Sequence, residues 1–381
     1  LELEIIEFEK IIEARHITRS IENRAEELTA QSKRRKEVIS SSAELSNLAL
    51  RLYGLFLKFG HARNEKDLEY VQNFFESNLP DVDLGRLTFF EKIYYYQAHV
   101  WYSHIVQNFS QNFRYSSKWV DLFHAYPKMR EADPTLYLLG MNNLMTSCFL
   151  TGYESKLKST LEELERFRQA HEKSLDINSE VLVFQYYYTG LINLHFTQGT
   201  FSEGIQIIPK LDELLNQYSR YLDQHRILVF YYKMACLFFG SGDNTRALDY
   251  LNLIINLKAG SLGEDIQCFA RFLHLIAHYE LGNYALLEYL VKSVYRFLAK
   301  MEDLNQVQSE VLKFLRQTLH KAPQDLRSSF IELRERLQPL AEDETEKRSF
   351  LYLDILSWLD SKIEDRPVQD VIREKYLARR R

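Results

Sequence analysis

The chain has only 13 glycines and 7 prolines in 381 residues. That is too few for the many tight turns of a β protein, and it leaves helices largely unbroken, so the expected class is all-α. Three cysteines, Cys148, Cys236 and Cys268, have no paired spacing, and each lies in an apolar helical pattern. This rules out a disulfide framework and favours reduced, buried thiols, hence a cytoplasmic protein. No apolar run reaches the roughly 18 residues of a membrane span, and no short apolar signal region follows a basic start. Positive charge is not in excess: the formal net charge is -5, so neither nucleic acid nor an anionic membrane is an expected partner. The basic runs Lys33-Arg34-Arg35-Lys36 and Arg379-Arg380-Arg381 sit in charged segments and read as a solvated helix face and tail.

What the chain does have is an internal repeat. An aromatic residue, a glycine three positions on, and two aliphatics nine and twelve further recur as Phe149/Gly152/Leu161/Leu164, Phe196/Gly199/Ile208/Leu211, Phe239/Gly242/Leu251/Ile254 and Tyr279/Gly282/Val291/Val294. The glycines are 47, 43 and 40 residues apart. Such periods suit helical hairpins that cannot bury their apolar faces alone and stack to bury them together. Phe59, Ala62, Val71 and Phe74 repeat the spacing with alanine for glycine.

Apolar periodicity places helix pairs at about 87–108 with 112–126, 134–150 with 154–172, 178–198 with 201–219, 224–240 with 244–257, and 264–281 with 284–300. An amphipathic segment fills 1–40, and Ser41 with Glu44 reads as a capping box opening the first clear hairpin, whose second helix is 65–78. Asp133-Pro134, Pro323 and Pro367 read as helix starts. The prolines place final hairpins at 305–321 with 323–340 and 345–362 with 367–378, so that 301–381 continues the array of 41–300. Pro209 falls inside a second helix and is expected to bend it.

Small residues at the hairpin turn, aromatics on the first helix, and Gly204 or Ala247 early on the second resemble the tetratricopeptide repeat. Gly242, Ala247 and Leu251, preceded by Tyr231, Met234, Ala235 and Phe238, match that pattern best. The periods exceed the family's usual length of about 34 residues, the closing proline is absent, and the 87–126 pair is degenerate. The resemblance implies a right-handed α-solenoid of about seven to eight antiparallel hairpins, with first helices lining a concave groove. It also implies a non-enzymatic scaffold that binds a protein or peptide there. The alternative is a ligand-sensing regulatory module of a larger protein, which an additional domain upstream of Leu1 would support.

Counting back from each turn glycine, the inner stripe reads Leu139/Asn142/Thr146/Phe149, Tyr186/Thr189/Asn193/Phe196, Val229/Tyr232/Cys236/Phe239 and Phe269/Phe272/Ile276/Tyr279, without a charge. The lysines and arginines with which chaperone-binding members grip a terminal carboxylate are missing from it. Asn142, Tyr186, Asn193, Tyr232 and Phe272 are the candidate groove residues, amides for a peptide backbone and aromatics for apolar anchors. A tight array in which the stripe simply packs is the competing reading, because aromatic stripes at helical spacing are usually core.

Catalytic chemistry finds little footing. His274 and His278 are four apart, as metal-sharing imidazoles are, but Leu275 stands where a zinc protease carries its glutamate and no third ligand has a recognisable spacing. No glycine-rich phosphate loop precedes a Lys-Ser or Lys-Thr pair, serines lack the nucleophile-elbow context, and Asp81 and Asp83 lack the further ligands of a calcium loop. No catalytic residue, metal or cofactor is expected. The Tyr94-Tyr95-Tyr96 and Tyr186-Tyr187-Tyr188 clusters read as inner helices sandwiched between neighbours.

Overall fold

The computed structural model describes residues 1–15, 23–62, 64–172, 174–257, 264–300, 306–318, 323–342, 350 and 354–379. Every regular element among them is helical, and the helices pack mainly on their sequence neighbours. The contacts divide the chain into two units, Leu1–Ser147 and Cys148–Arg381.

The first unit holds α1 (Glu2–Arg15), α2 (Arg24–Phe59), α3 (Glu65–Asn78), α4 (Phe89–Ile105), α5 (Phe109–Ala125), the short α6 (Lys128–Ala132) and most of α7 (Pro134–Thr151). The helix start expected at Ser41 is not there. The 36-residue α2 runs straight through it, because nothing between Arg24 and Gly60 breaks a helix, and Leu45, Leu48, Ala49 and Leu52 form one buried stripe. That stripe meets Val71 and Phe75 of α3 and Ala98 and Ile105 of α4. Gln107 takes the left-handed conformation (φ 56°) between α4 and α5, doing in this degenerate hairpin what glycine does in the regular ones. Asp133 caps α7 as expected, its Oδ1 accepting from the Leu136 amide at 2.9 Å. Asp83 opens a turn, its carbonyl accepting from the Arg86 amide and its Oδ1 from the Gly85 amide, both at 2.9 Å, and Asp81 lies in the irregular segment just before it.

The second unit runs from the end of α7 through α8 (Glu154–His171), α9 (Ile177–Gln198), α10 (Phe201–Gly204), α11 (Ile208–Gln217), α12 (Gln224–Ser241), α13 (Asn244–Asn256), α14 (Glu264–Glu280) and α15 (Tyr284–Lys300). It continues with α16 (Gln306–Thr318), α17 (Pro323–Leu337), α18 (Ile355–Glu364) and α19 (Val368–Arg379). Residues 305 and 319–321 of the expected 305–321 helix, residues 345–349 and 351–353 of the expected 345–362 helix, and Arg380 and Arg381 lie outside the described residues.

The repeat is explained by its turns. Gly152, Gly199, Gly242 and Gly282 all have positive φ, from 66° to 91°, a conformation that costs a side-chain-bearing residue about 1 kcal/mol or more. Each glycine amide donates to the carbonyl of the repeat's aromatic three residues back, and the following amide reaches five back: Tyr153 to Cys148, Thr200 to His195, Asp243 to Phe238 and Asn283 to His278, at 2.9 to 3.1 Å. This double closure satisfies the last carbonyls of the first helix and reverses the chain. All eight repeat aliphatics are then buried, none more than 6 % exposed.

Pro209 breaks the second helix more sharply than a bend: α10 ends at Gly204, a 3₁₀ turn covers Ile205–Ile207, and α11 restarts with the proline in its first turn, where no amide is needed. Small residues set the close approaches. A Cβ on Gly204 would fall 2.7 Å from Leu237 Cδ2 and 3.1 Å from the His195 ring, and Ala247 is fully buried.

Two glycines therefore respond oppositely to alanine. Gly54 lies inside α2 with nothing within 4 Å of an added Cβ, so Gly54→Ala should stabilise by about 0.5–1 kcal/mol through backbone entropy. Gly204→Ala should cost about 1–3 kcal/mol by overpacking α10 on α12. Urea denaturation of the two variants beside the parent chain checks both signs.

Candidate functional site

The helices α9 and α12 are neighbours in contact, and their polar groups match in steps of two turns. Tyr186 and Gln185 of α9 meet Arg226 of α12, and seven residues on, Asn193 of α9 meets Lys233 of α12. The constant offset of 40 residues shows the two first helices aligned in parallel. Arg226 also has a carboxylate, Asp223 Oδ2 at 2.9 Å. Lys233 does not.

The Lys233 ammonium is the centre of the site. Its Nζ donates to Asn193 Oδ1 at 2.6 Å and lies 5.8 Å from the Phe149 ring centroid and 5.5 Å from that of Phe196, within cation–π range. Among the described residues no carboxylate pairs with it. Burial pushes its pKa down from 10.5 to about 8, and the nearby Cys236 only partly opposes this. Cys236 is itself buried, accepts a contact from Tyr232, and is pushed by burial up to about 12, so its thiol stays protonated. At neutral pH the site is thus a half-buried cation held by one amide and two aromatic rings.

The five candidate groove residues divide as follows. Asn193 is 3 % exposed and holds the lysine; Tyr186 and Tyr232 are each 6 % exposed, on the same two helices. Phe272, 4 % exposed, packs within the core on α14, and Asn142 is half-buried on α7 in the first unit. The stripe itself carries no charge, but a cation stands beside it. Lys233 stands one position off it, beside Tyr232, and still reaches Asn193. A signal was present in the sequence, because Lys233 is the only charge between Ile227 and Gly240.

The histidine pair is a packed one. The His274 and His278 rings meet edge to face at 4.5 Å, burial takes His274 down to about 4, and His278 Nδ1 bonds Asn283 Nδ2 at 3.0 Å. Among the described residues no group of three His, Cys, Asp or Glu side chains could hold a metal ion. In the first unit His99 stacks on Tyr115 at 3.9 Å and is likewise desolvated, down to about 4. No helix among the described residues is long and apolar enough to cross a membrane. No protein-family model matches the chain, and no curated protein matches it.

The depressed lysine fixes a pH dependence. Between about pH 8 and 10.5 the unfolded chain holds a proton at this position that the folded chain has released, so stability rises with pH through that window and the full cost is felt below it. Lys233→Met should remove this rise and stabilise the fold near neutral pH by up to about 3 kcal/mol, from the size of the shift. Thermal unfolding of both proteins between about pH 7 and 10 measures it.

Proposed function

We propose that the chain is a non-catalytic, tetratricopeptide-like right-handed helical array that binds a protein or peptide, receiving an acidic group of its partner at Lys233. The observation that carries this reading is the uncompensated charge. A half-buried ammonium with an amide and two rings around it, and no carboxylate of its own, has its strongest interaction still unmade. A carboxylate arriving there gains a charge-assisted hydrogen bond in a medium less screening than water, and Asn193 orients the donor. Phe149 and Phe196 flank the point of entry and suit an apolar side chain next to that carboxylate. The glycine turns, the buried repeat aliphatics and the neighbour-to-neighbour packing support the scaffold half of the proposal.

The test is a matched set of short peptides, each with a free C-terminal carboxylate or with that carboxylate amidated. Binding by the parent chain should favour the free-acid forms by about tenfold or more near pH 7, and Lys233→Met should erase the preference while the fold persists. Equal binding of both forms, or a preference that survives the substitution, overturns the assignment of Lys233.

A further inference from the structure

The last helix of the chain returns to the site. After α18, which is anchored deep in the second unit by Ile355, Trp358 and Leu359, each 1 % exposed or less, α19 turns back and touches both α9 and α12. Its seat is the Gly199 turn. Ser202 donates to Gln369 Oε1 from its amide at 3.2 Å and from its hydroxyl at 2.8 Å. Arg373 Nη1 donates to the carbonyl of Gln198, the last residue of α9, at 3.1 Å. A Cβ on Gly199 would fall 2.5 Å from the Arg373 amide nitrogen and 2.9 Å from the Gln369 carbonyl oxygen, so the α19 backbone lies against a surface that only glycine leaves open. Of the other three turn glycines, Gly152 and Gly242 have nothing within 4 Å and Gly282 only Tyr284 Cε2 at 3.9 Å, an ordinary contact.

We propose that α19 is a clasp whose docking across α9 and α12 regulates the Lys233–Asn193 site. The two helices it bridges are the two that supply Asn193, Phe196 and Lys233, so a clasp at the end of α9 fixes the spacing on which the lysine–amide contact depends. The clasp is built to open. Within α19 only Val371 and Tyr376 are fully buried, Val368 and Ile372 are partly buried against the core, and the other attachments are polar, including Lys375 Nζ to Asp360 Oδ2 at 2.7 Å and to Ser357 Oγ at 2.8 Å. An element with little buried apolar surface opens at the low end of a protein's range of local stabilities. By contrast α18 stays held from α14, where Glu280 accepts from Trp358 Nε1 at 2.6 Å and from Lys362 Nζ at 2.5 Å, so α19 can lift without unmaking the core. This regulatory role rests on the binding role assigned to Lys233.

The experiment compares the full chain with Gly199→Ala, Gly242→Ala and the double variant Gln369→Ala/Arg373→Ala, by hydrogen exchange and by the free-acid against amidated peptide preference. Gly242→Ala carries the same backbone strain (φ 91°) without the neighbour. Gly199→Ala and the double variant should each speed exchange of 368–379 by about tenfold or more and raise it at 189–198 and 229–239, while 45–52 of the first unit stays as in the parent. The peptide preference should fall in parallel, and Gly242→Ala should leave α19 protected. Unchanged exchange of 368–379 in the double variant overturns the clasp. Faster exchange there with 229–239 and the peptide preference unaltered overturns its coupling to the site. Absence of any peptide preference in the parent chain sinks the Lys233 assignment alone, since the exchange readout needs no ligand.

Discussion

The structure depends on one backbone constraint, the closure of each first helix onto its turn glycine. Helix ends leave carbonyls without partners, and in a stack of long helices those ends would fall beside apolar neighbours. The aromatic-x-x-glycine spacing is the solution written into the chain. The aromatic residue's own carbonyl receives the glycine amide, the next amide reaches the carbonyl five back, and the positive φ that permits both is open to glycine at little strain. Once the chain is reversed in this way, the second helix runs back along the first, and the aliphatics nine and twelve positions on fall inside. Repeat length, helix pairing and burial all follow from that closure.

Much of this was legible. Period 3.6 patterning located the hairpins from 134 to 300 to within a residue or two, and the 87–126 pair to within three, because the turn glycines and the capping residues Asp133, Asp176, Asp223 and Asp243 bracket the later helices on both sides. It failed at Ser41 because a serine followed by glutamate is a cap only where the chain leaves the helix. The buried Leu45 to Leu52 stripe gives it no reason to leave. Pro209 was read as a kink, whereas the chain spent a 3₁₀ turn to place the proline where its missing amide does no harm. Of the candidate site, Asn193 stands out in the sequence by its polarity within an apolar stripe, but its contact with Lys233 does not, because a face drawn by strict helical spacing excludes a long side chain that reaches sideways into it.

No periodicity could have announced the return of α19. It is recorded in a glycine whose need for space is as strong as its need for positive φ, and the two demands look identical in sequence. Gly199 and Gly242 occupy equivalent places in successive repeats, yet one is crowded by backbone 170 or more residues away and the other faces open space. A repeat can thus carry a unique contact without any departure from its pattern, and the contact is visible only where long-range packing is resolved.

The cost of Lys233 argues that it is kept for something other than folding. Burial of an ammonium opposes the fold, and that burial pushes the Lys233 pKa down to about 8. Other cations of the second unit show what a structural role looks like here. Arg226 is neutralised by Asp223, Lys362 by Glu280 and Lys375 by Asp360, and in the last case burial works against ionising Asp360 but hydrogen bonds from Lys375 and Arg334 outweigh it and hold that carboxyl below its ordinary range. The partly buried pairs at Glu280 and Asp360 offset their desolvation within the fold. Lys233 recovers only an amide hydrogen bond and two ring contacts, although a methionine would fill the same volume between Phe149 and Phe196 at no electrostatic cost. Under the proposed function that deficit is offset by an acidic group of the partner, the one contact the fold itself does not supply to this ammonium.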